Sequence, residues 1–107
     1  MLLDRTVFRM YVKDGCPYCD QAKHLIIGEK ETSLSTIEVS DAPEIRKRIE
    51  EETGHKTVPA IYLGQRFIGG FSELQKMDDD GALDLLVLKE EISILKEENA
   101  RLKRNLV

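Results

Sequence analysis

The chain has no tryptophan, and among its 107 residues only two are cysteine, two histidine and three proline. No apolar run is long enough to cross a bilayer, so no membrane partner is expected. Positive charge is not in excess: a net charge of −4 gives no electrostatic reason to bind nucleic acid or an acidic membrane surface. The start, Met1-Leu2-Leu3-Asp4-Arg5, is too short and too acidic for a secretory signal. These absences make a reducing, cytoplasmic setting the expectation. In such a setting a lone close pair of cysteines reads as reactive rather than structural. The chain is long enough for one compact domain.

The pair is Cys16-Pro17-Tyr18-Cys19. The run before it, 8–13, reads as a strand, and the run after it, 20–30, as a helix. A strand feeding Cys-x-x-Cys at the start of a helix favours a reactive dithiol. Free N–H groups and the dipole at a helix N-terminus favour an anion, which biases the first thiol towards the attacking thiolate. Proline at the next position lacks an N–H and suits the first helical turn.

The rest of the chain reads as alternating elements. A strand over 7–13 and a helix over 17–30 are followed by a strand over 34–39. Ser40 or Asp41 is the candidate cap for a second helix that ends near Thr53, with Gly54 as its stop. Strands over 58–63 and 66–68 form a hairpin about Gly64-Gln65. Gly69-Gly70 breaks it, a short helix covers 71–77, and Asp78-Asp79-Asp80-Gly81 reads as a turn. A last helix runs from Ala82 to the end. The order β-α-β-α-β-β-α-α predicts an α/β fold with a small mixed sheet covered by helices. Pro59 reads either as a strand-start proline or as a cis-proline bend beside the active site.

Lys13-Asp14-Gly15-Cys16-Pro17-Tyr18-Cys19 resembles the active-site segment of dithiol glutaredoxins. Thr57-Val58-Pro59 resembles that family's Thr-Val-Pro, which carries a cis-proline. Gly69-Gly70-Phe71-Ser72-Glu73-Leu74 resembles its Gly-Gly glutathione-binding segment. Each motif alone is weak; three in register, over 7–86, are specific. Thioredoxin, with Trp-Cys-Gly-Pro-Cys, is less similar.

The resemblance implies a thioredoxin-like fold, a four-stranded mixed sheet flanked by helices, to which the chain adds an extended C-terminal helix of its own. It implies glutathione-dependent reduction of protein disulfides and glutathione mixed disulfides, with glutathione as reductant and no metal. Cys16 would be the nucleophile and Cys19 the resolving thiol. By position, Lys13 and Tyr18 would flank bound glutathione. Thr57 and Val58, ahead of Pro59, would pair with its backbone, and Gly70, Phe71 and Ser72 would hold its γ-glutamyl end. The residues suit this chemistry independently. Main chain before Pro59 can pair with an extended peptide, Lys13 and Lys56 add positive charge near the pocket, and Gly69-Gly70 permits close approach.

Plainer readings exist for several of these residues. Cys16, Cys19, His24 and His55 make a Cys2His2 set by arithmetic, but their spacing resembles no zinc finger; His24 reads as a helix-surface residue and His55 as a loop residue. Pro17 argues against a cluster bridged between two copies. Lys13 and Lys56 also read as solvated charges, Tyr18 as a packing residue and Phe71 as core. The Asp78–80 run lacks the alternating ligands of a calcium loop and reads as a capping turn.

The resemblance does not reach the tail. Leu85, Ile92, Asn99 and Leu106 fall seven apart, with Leu88, Leu95 and Leu102 between them. These are a and d positions of a heptad repeat. The e positions are Lys89, Lys96 and Lys103, and the g positions are Asp84, Glu91 and Glu98. In a parallel pair this predicts Asp84–Lys89, Glu91–Lys96 and Glu98–Lys103 contacts between chains. Asn99 at one a position favours a two-stranded parallel register. The organisation expected is a glutaredoxin-like domain over 1–86 and a helical extension over 87–107. The extension pairs two copies through Leu88, Ile92, Leu95, Asn99, Leu102 and Leu106, with its first turns packed on the domain. Two other functions are weighed against the glutathione-served enzyme: a redox protein fed by thioredoxin reductase, and a coiled-coil interaction module with secondary catalysis.

Overall fold

Strand β1 (Val7–Val12) is paired on both sides, and its alternate residues Phe8, Met10 and Val12 are buried on the face that the helices cover. The computed structural model describes residues 7–30 and 32–105, with side chains from Phe8 to Glu97. The sheet order is β2-β1-β3-β4. Strand β2 (Ser33–Glu38) is parallel to β1, while β3 (Ala60–Leu63) is antiparallel to both β1 and β4 (Arg66–Gly69). Register sets Phe8 opposite Leu63 and Met10 opposite Ile61. Directly opposed residues share a face, so these four form one apolar layer. Ala22, Leu25 and Ile26 cover it, with Leu74, Leu83 and Val87. On the other face Arg9 lies opposite Tyr62, with its guanidinium 4.6 Å from the Tyr62 ring centre, a cation–π geometry.

The first helix departs from the single α-helix expected over 17–30. Helix α1 (Pro17–Lys23) continues as a π-helical turn, His24–Glu29. The Lys30 N–H donates to the Leu25 carbonyl at 3.0 Å, and both the N–H and the hydroxyl of buried Thr32 donate to the Ile26 carbonyl. These bonds close a wider turn. Leu25 and Ile26 are both buried, while Ile27 is 55 % exposed.

Helix α2 (Pro43–Thr53) ends at Gly54 as expected, with φ 78° and its N–H on the Glu50 carbonyl. Its start differs from the expected Ser40 or Asp41 cap: Ala42 is the N-cap and gives no side-chain bond. The Ser40 hydroxyl is instead engaged with the Glu38 carboxylate and accepts the Asp14 N–H at 3.3 Å. The Ser40 contact holds the Glu38 carboxyl below its usual range. The serine thus ties the loop before Cys16 to the end of β2.

Helix α3 (Phe71–Asp79) takes in Asp78 and Asp79, which the sequence places in a turn; Asp80 is its C-cap. The Lys30 ammonium pairs with the Asp78 carboxylate and lies 3.1 Å from that of Asp84. It therefore joins the end of the π turn to α3 and to helix α4 (Ala82–Asn105). Those two carboxylates, Asp78 first, raise the Lys30 pKa above 10.5. A raised folded pKa means that the contribution is complete below 10.5 and is lost as pH rises through the folded value. Solvent screening keeps it under about 1 kcal/mol. Denaturation at rising alkaline pH should therefore show a shallower loss of stability in Lys30→Met than in wild type. Equal slopes would mean that the clamp has no thermodynamic weight.

Within the chain Asp84 pairs with Lys30; it is also the g position that the heptad reading sets opposite Lys89 of a second copy. The first turns of α4 pack on the domain as expected, with Leu83 and Val87 in the core. Further along, Glu90 folds over Gly64, and Glu90 and Ile94 line a hollow at the β3–β4 turn. Leu85, Leu88, Ile92 and Leu95 are 61 %, 52 %, 44 % and 49 % exposed. The side chains of Asn99 and Leu102, and all of Leu106, lie outside the described residues. Among the described residues no helix is long and apolar enough to cross a membrane.

Candidate active site

Cys16 occupies the N-cap of α1 with extended backbone (φ −98°, ψ 105°), and Pro17 takes the first helical position. Its sulfur accepts the Cys19 N–H at 3.2 Å. This is a free donor of the first turn, aimed at the atom that must carry negative charge. The two cysteines form a disulfide, with Cα atoms 5.2 Å apart. They are not equivalent: Cys16 is half-buried, while Cys19 is 2 % exposed and belongs to the core. An incoming disulfide meets Cys16 first.

The Val58–Pro59 bond is cis, which settles the alternative left open for Pro59. Strand β3 begins only after it, at Ala60. The cis loop faces the dithiol, with the Val58 carbonyl oxygen 4.0 Å from Cys16 Sγ. Beside it runs an open groove of about 480 Å3, within the size range of small-ligand sites. Tyr18, Thr57, Val58 and Pro59 line it together with Gly70, Phe71 and Ser72. Tyr18 is 59 % exposed, and its ring stacks on Phe71 at 6.2 Å.

Seven of the eight residues expected to contact glutathione therefore converge on one groove. Lys13 does not line it; it is half-buried just beyond β1. Lys56 also stays out of the lining and borders a neighbouring crevice with Tyr11 and Arg46. Two further lining residues, His55 and Glu73, were not expected there. Glu73 accepts the Gly70 N–H at 3.2 Å from the first turn of α3. Its position three residues after Gly70 is the capping-box spacing, a signal present in the sequence. His55 carried no local signal beyond standing two residues before Thr57. His24 is exposed on the π turn, away from this lining.

A dithiol capping a helix and facing a cis-proline loop, on a four-stranded mixed sheet, defines the thioredoxin-like class. A family model described as Glutaredoxin matches residues 8–68. A glutaredoxin of Neisseria meningitidis serogroup A is 33 % identical over 78 residues, covering 73 % of this chain and 92 % of that one. Glutaredoxin 3 of Escherichia coli K12 is also 33 % identical over 78 residues, covering 73 % and 93 %. The solved structure of a buckwheat glutaredoxin–glutathione complex has a TM-score of 0.72 at 26 % identity, over 82 % of each chain. The chain belongs to the glutaredoxin family.

Proposed function

We propose that this protein is a glutathione-dependent thiol–disulfide oxidoreductase that reduces glutathione mixed disulfides and protein disulfides. The observation that carries the reading is the juxtaposition of an activated sulfur and a peptide-sized groove. Cys16 Sγ receives the Cys19 N–H and lies 4.0 Å from the Val58 carbonyl oxygen, at the edge of the groove. The buckwheat relative, of the same fold, is a glutathione complex.

Thiol–disulfide exchange then proceeds in balanced steps. The Cys16 thiolate attacks the glutathione sulfur of a mixed disulfide, and the partner thiolate leaves and takes up a proton. A second glutathione thiolate attacks the Cys16-bound sulfur, forming glutathione disulfide and restoring Cys16. With a protein disulfide, Cys16 attacks one sulfur and releases the other as a thiolate. The Cys19 thiolate then attacks Cys16, which frees the reduced protein and leaves the Cys16–Cys19 disulfide. In the groove, Thr57 and Val58 offer backbone to the extended tripeptide as an added strand. Tyr18 and Pro59 wall it, and Gly70, Phe71 and Ser72 receive its γ-glutamyl end. Lys13 acts at most as a flanking charge.

The test is turnover of a glutathione mixed disulfide coupled to glutathione reductase, against the same assay coupled to thioredoxin reductase. Activity with the first and not the second is expected. The reverse pattern would make the protein thioredoxin-reductase-fed and overturn the reading. A reducing, cytoplasmic setting belongs to the same proposal, because a lone exchange-active dithiol suits it.

The proposal extends to assembly: the extension over 87–107 joins two copies in a parallel coiled coil, so that each assembly carries two active sites. Its support is the exposed row Leu88, Ile92 and Leu95, continued in sequence by Asn99, Leu102 and Leu106, with acidic g and basic e positions. Light scattering should give twice the 12.2 kDa chain mass. Ile92→Glu/Leu95→Glu should give the single-chain mass without loss of the domain fold. A monomeric wild type would end the idea.

A further inference from the structure

Thiol exchange at Cys16 makes no use of His55, the side chain that ties the groove together. Its main chain is moored to the last turn of α2: the His55 N–H donates to Thr53 Oγ1 at 3.1 Å, and the Thr53 hydroxyl donates to the Ile49 carbonyl at 2.7 Å. Its ring stands edge-on to Phe67, with centres 5.5 Å apart. On the far side Cε1 lies 3.2 Å from where a Cβ on Gly70 would sit. The ring is thus wedged between the cis-proline loop and the Gly69–Gly70 segment, and Nε2 faces two oxygens: the Pro59 carbonyl at 3.1 Å and Thr57 Oγ1 at 3.3 Å.

These two partners determine where the protons lie. A carbonyl oxygen only accepts, so Nε2 must carry a hydrogen to bond Pro59. The opposite tautomer would set a bare nitrogen lone pair against that carbonyl and leave a part-buried acceptor unpaired. Thr57 Oγ1 therefore shares that one N–H with Pro59 as the longer, second acceptor, and offers it a lone pair. The hydroxyl has one proton, and this proton is turned away from the ring. Thr57 is exposed and lines the groove, so its proton points to whatever occupies that space.

We propose that His55 is a positioning residue: by donating from Nε2 it fixes the Thr57 hydroxyl as a donor towards an acceptor oxygen of bound glutathione. The inference rests on the groove being the glutathione site. An extended tripeptide with carboxylates at its ends and carbonyls between them presents acceptors along its length. With Pro59 already satisfied by His55, the loop shows the ligand a donor at Thr57 and peptide groups at Val58. A ligand rich in donors, such as an amine, is disfavoured at the same place.

Imidazole 15N NMR on the free protein at alkaline pH tests the first half without glutathione. The neutral ring should carry its hydrogen on Nε2; a hydrogen on Nδ1 overturns the proposal. Kinetics test the second half. His55→Phe keeps the ring packing against Phe67 and loses the donor. It should raise KM for a glutathione mixed disulfide of a small thiol about tenfold, the equivalent of one lost hydrogen bond, with kcat within about twofold. His55→Gln, which retains an N–H donor, should recover most of the loss; a Gln variant no better than Phe counts against the role. Thr57→Val should raise KM similarly, and His55→Phe/Thr57→Val no further, because His55 acts through Thr57. Losses that multiply in the double variant overturn the proposal. If circular dichroism shows His55→Phe unfolded, the same comparison is made with His55→Ala. A wild type without glutathione activity would refute the functional reading while leaving the tautomer result intact, so the two failures are distinguishable.

Discussion

Cys16→Ser is expected to lose at least about a thousandfold of its activity on a glutathione mixed disulfide, because a serine hydroxyl is scarcely ionised where a thiol readily is. Cys19→Ser should behave quite differently. The donor that supports the Cys16 thiolate is the backbone N–H of Cys19, which survives the substitution. Cys19 itself is 2 % exposed and packs in the core, so it meets neither glutathione nor an external disulfide directly. Its thiol is needed only to attack a disulfide already formed on Cys16. Cys19→Ser should therefore keep the mixed-disulfide reaction within a few-fold and lose the two-thiol reduction of protein disulfides. Stopped assays with a glutathionylated peptide and with a disulfide-bonded protein separate the two reactions. Full activity of Cys16→Ser on either would contradict the roles assigned here.

Gly69→Ala should cost about 3 kcal/mol, the second large effect. Gly69 has φ +134°, a conformation that residues with a Cβ rarely adopt. An added Cβ would also lie 2.9 Å from both Cβ and Cγ of Glu73. Those atoms belong to the first turn of α3 and cannot swing aside as the end of a long side chain would. Relieving the clash must move either Gly69 or the start of α3, and with it the bond from the Gly70 N–H to the Glu73 carboxylate. A chain of this size should lose roughly 10–20 °C of Tm, and KM for the glutathione substrate should rise with it. Gly70→Ala is the milder change: its φ is −95° and the nearest atom, His55 Cε1, is 3.2 Å away. An unchanged Tm in Gly69→Ala would show that this segment is not held as described.

The contrast between these two sites indicates how much was legible in the sequence. Cys16 and Cys19, the strand before them and the helix after them carry their signals locally. So do the Gly54 stop and the β3–β4 hairpin, where a glycine or an alternation of apolar residues decides the backbone. That the three motif segments share one groove was implied by their resemblance to glutaredoxins, not by any local pattern. The unexpected features depend on partners distant in sequence. Ser40 is diverted from capping α2 because Glu38 and Asp14 claim its hydroxyl. The π turn is closed by Thr32 reaching back to Ile26. The bond between Lys30 and Asp84 joins residues 54 apart, which no local pattern announces. Lys13 and Lys56 are close in sequence to groove residues yet lie outside its lining, while His55 enters it because β4 supplies Phe67 as a wall for its ring.

Trapping Cys19→Ser as a mixed disulfide between Cys16 and glutathione, and comparing its amide NMR spectrum with the unloaded protein, tests the central claim most directly. Glutathione lying in the groove should move the amides of Tyr18, Thr57 and Val58 together with those of Gly70, Phe71 and Ser72, some fifty residues further along the chain than Cys16. Shifts confined to the immediate neighbours of Cys16, with Gly70, Phe71 and Ser72 unmoved, would mean that the tripeptide hangs free of the groove and would contradict the account.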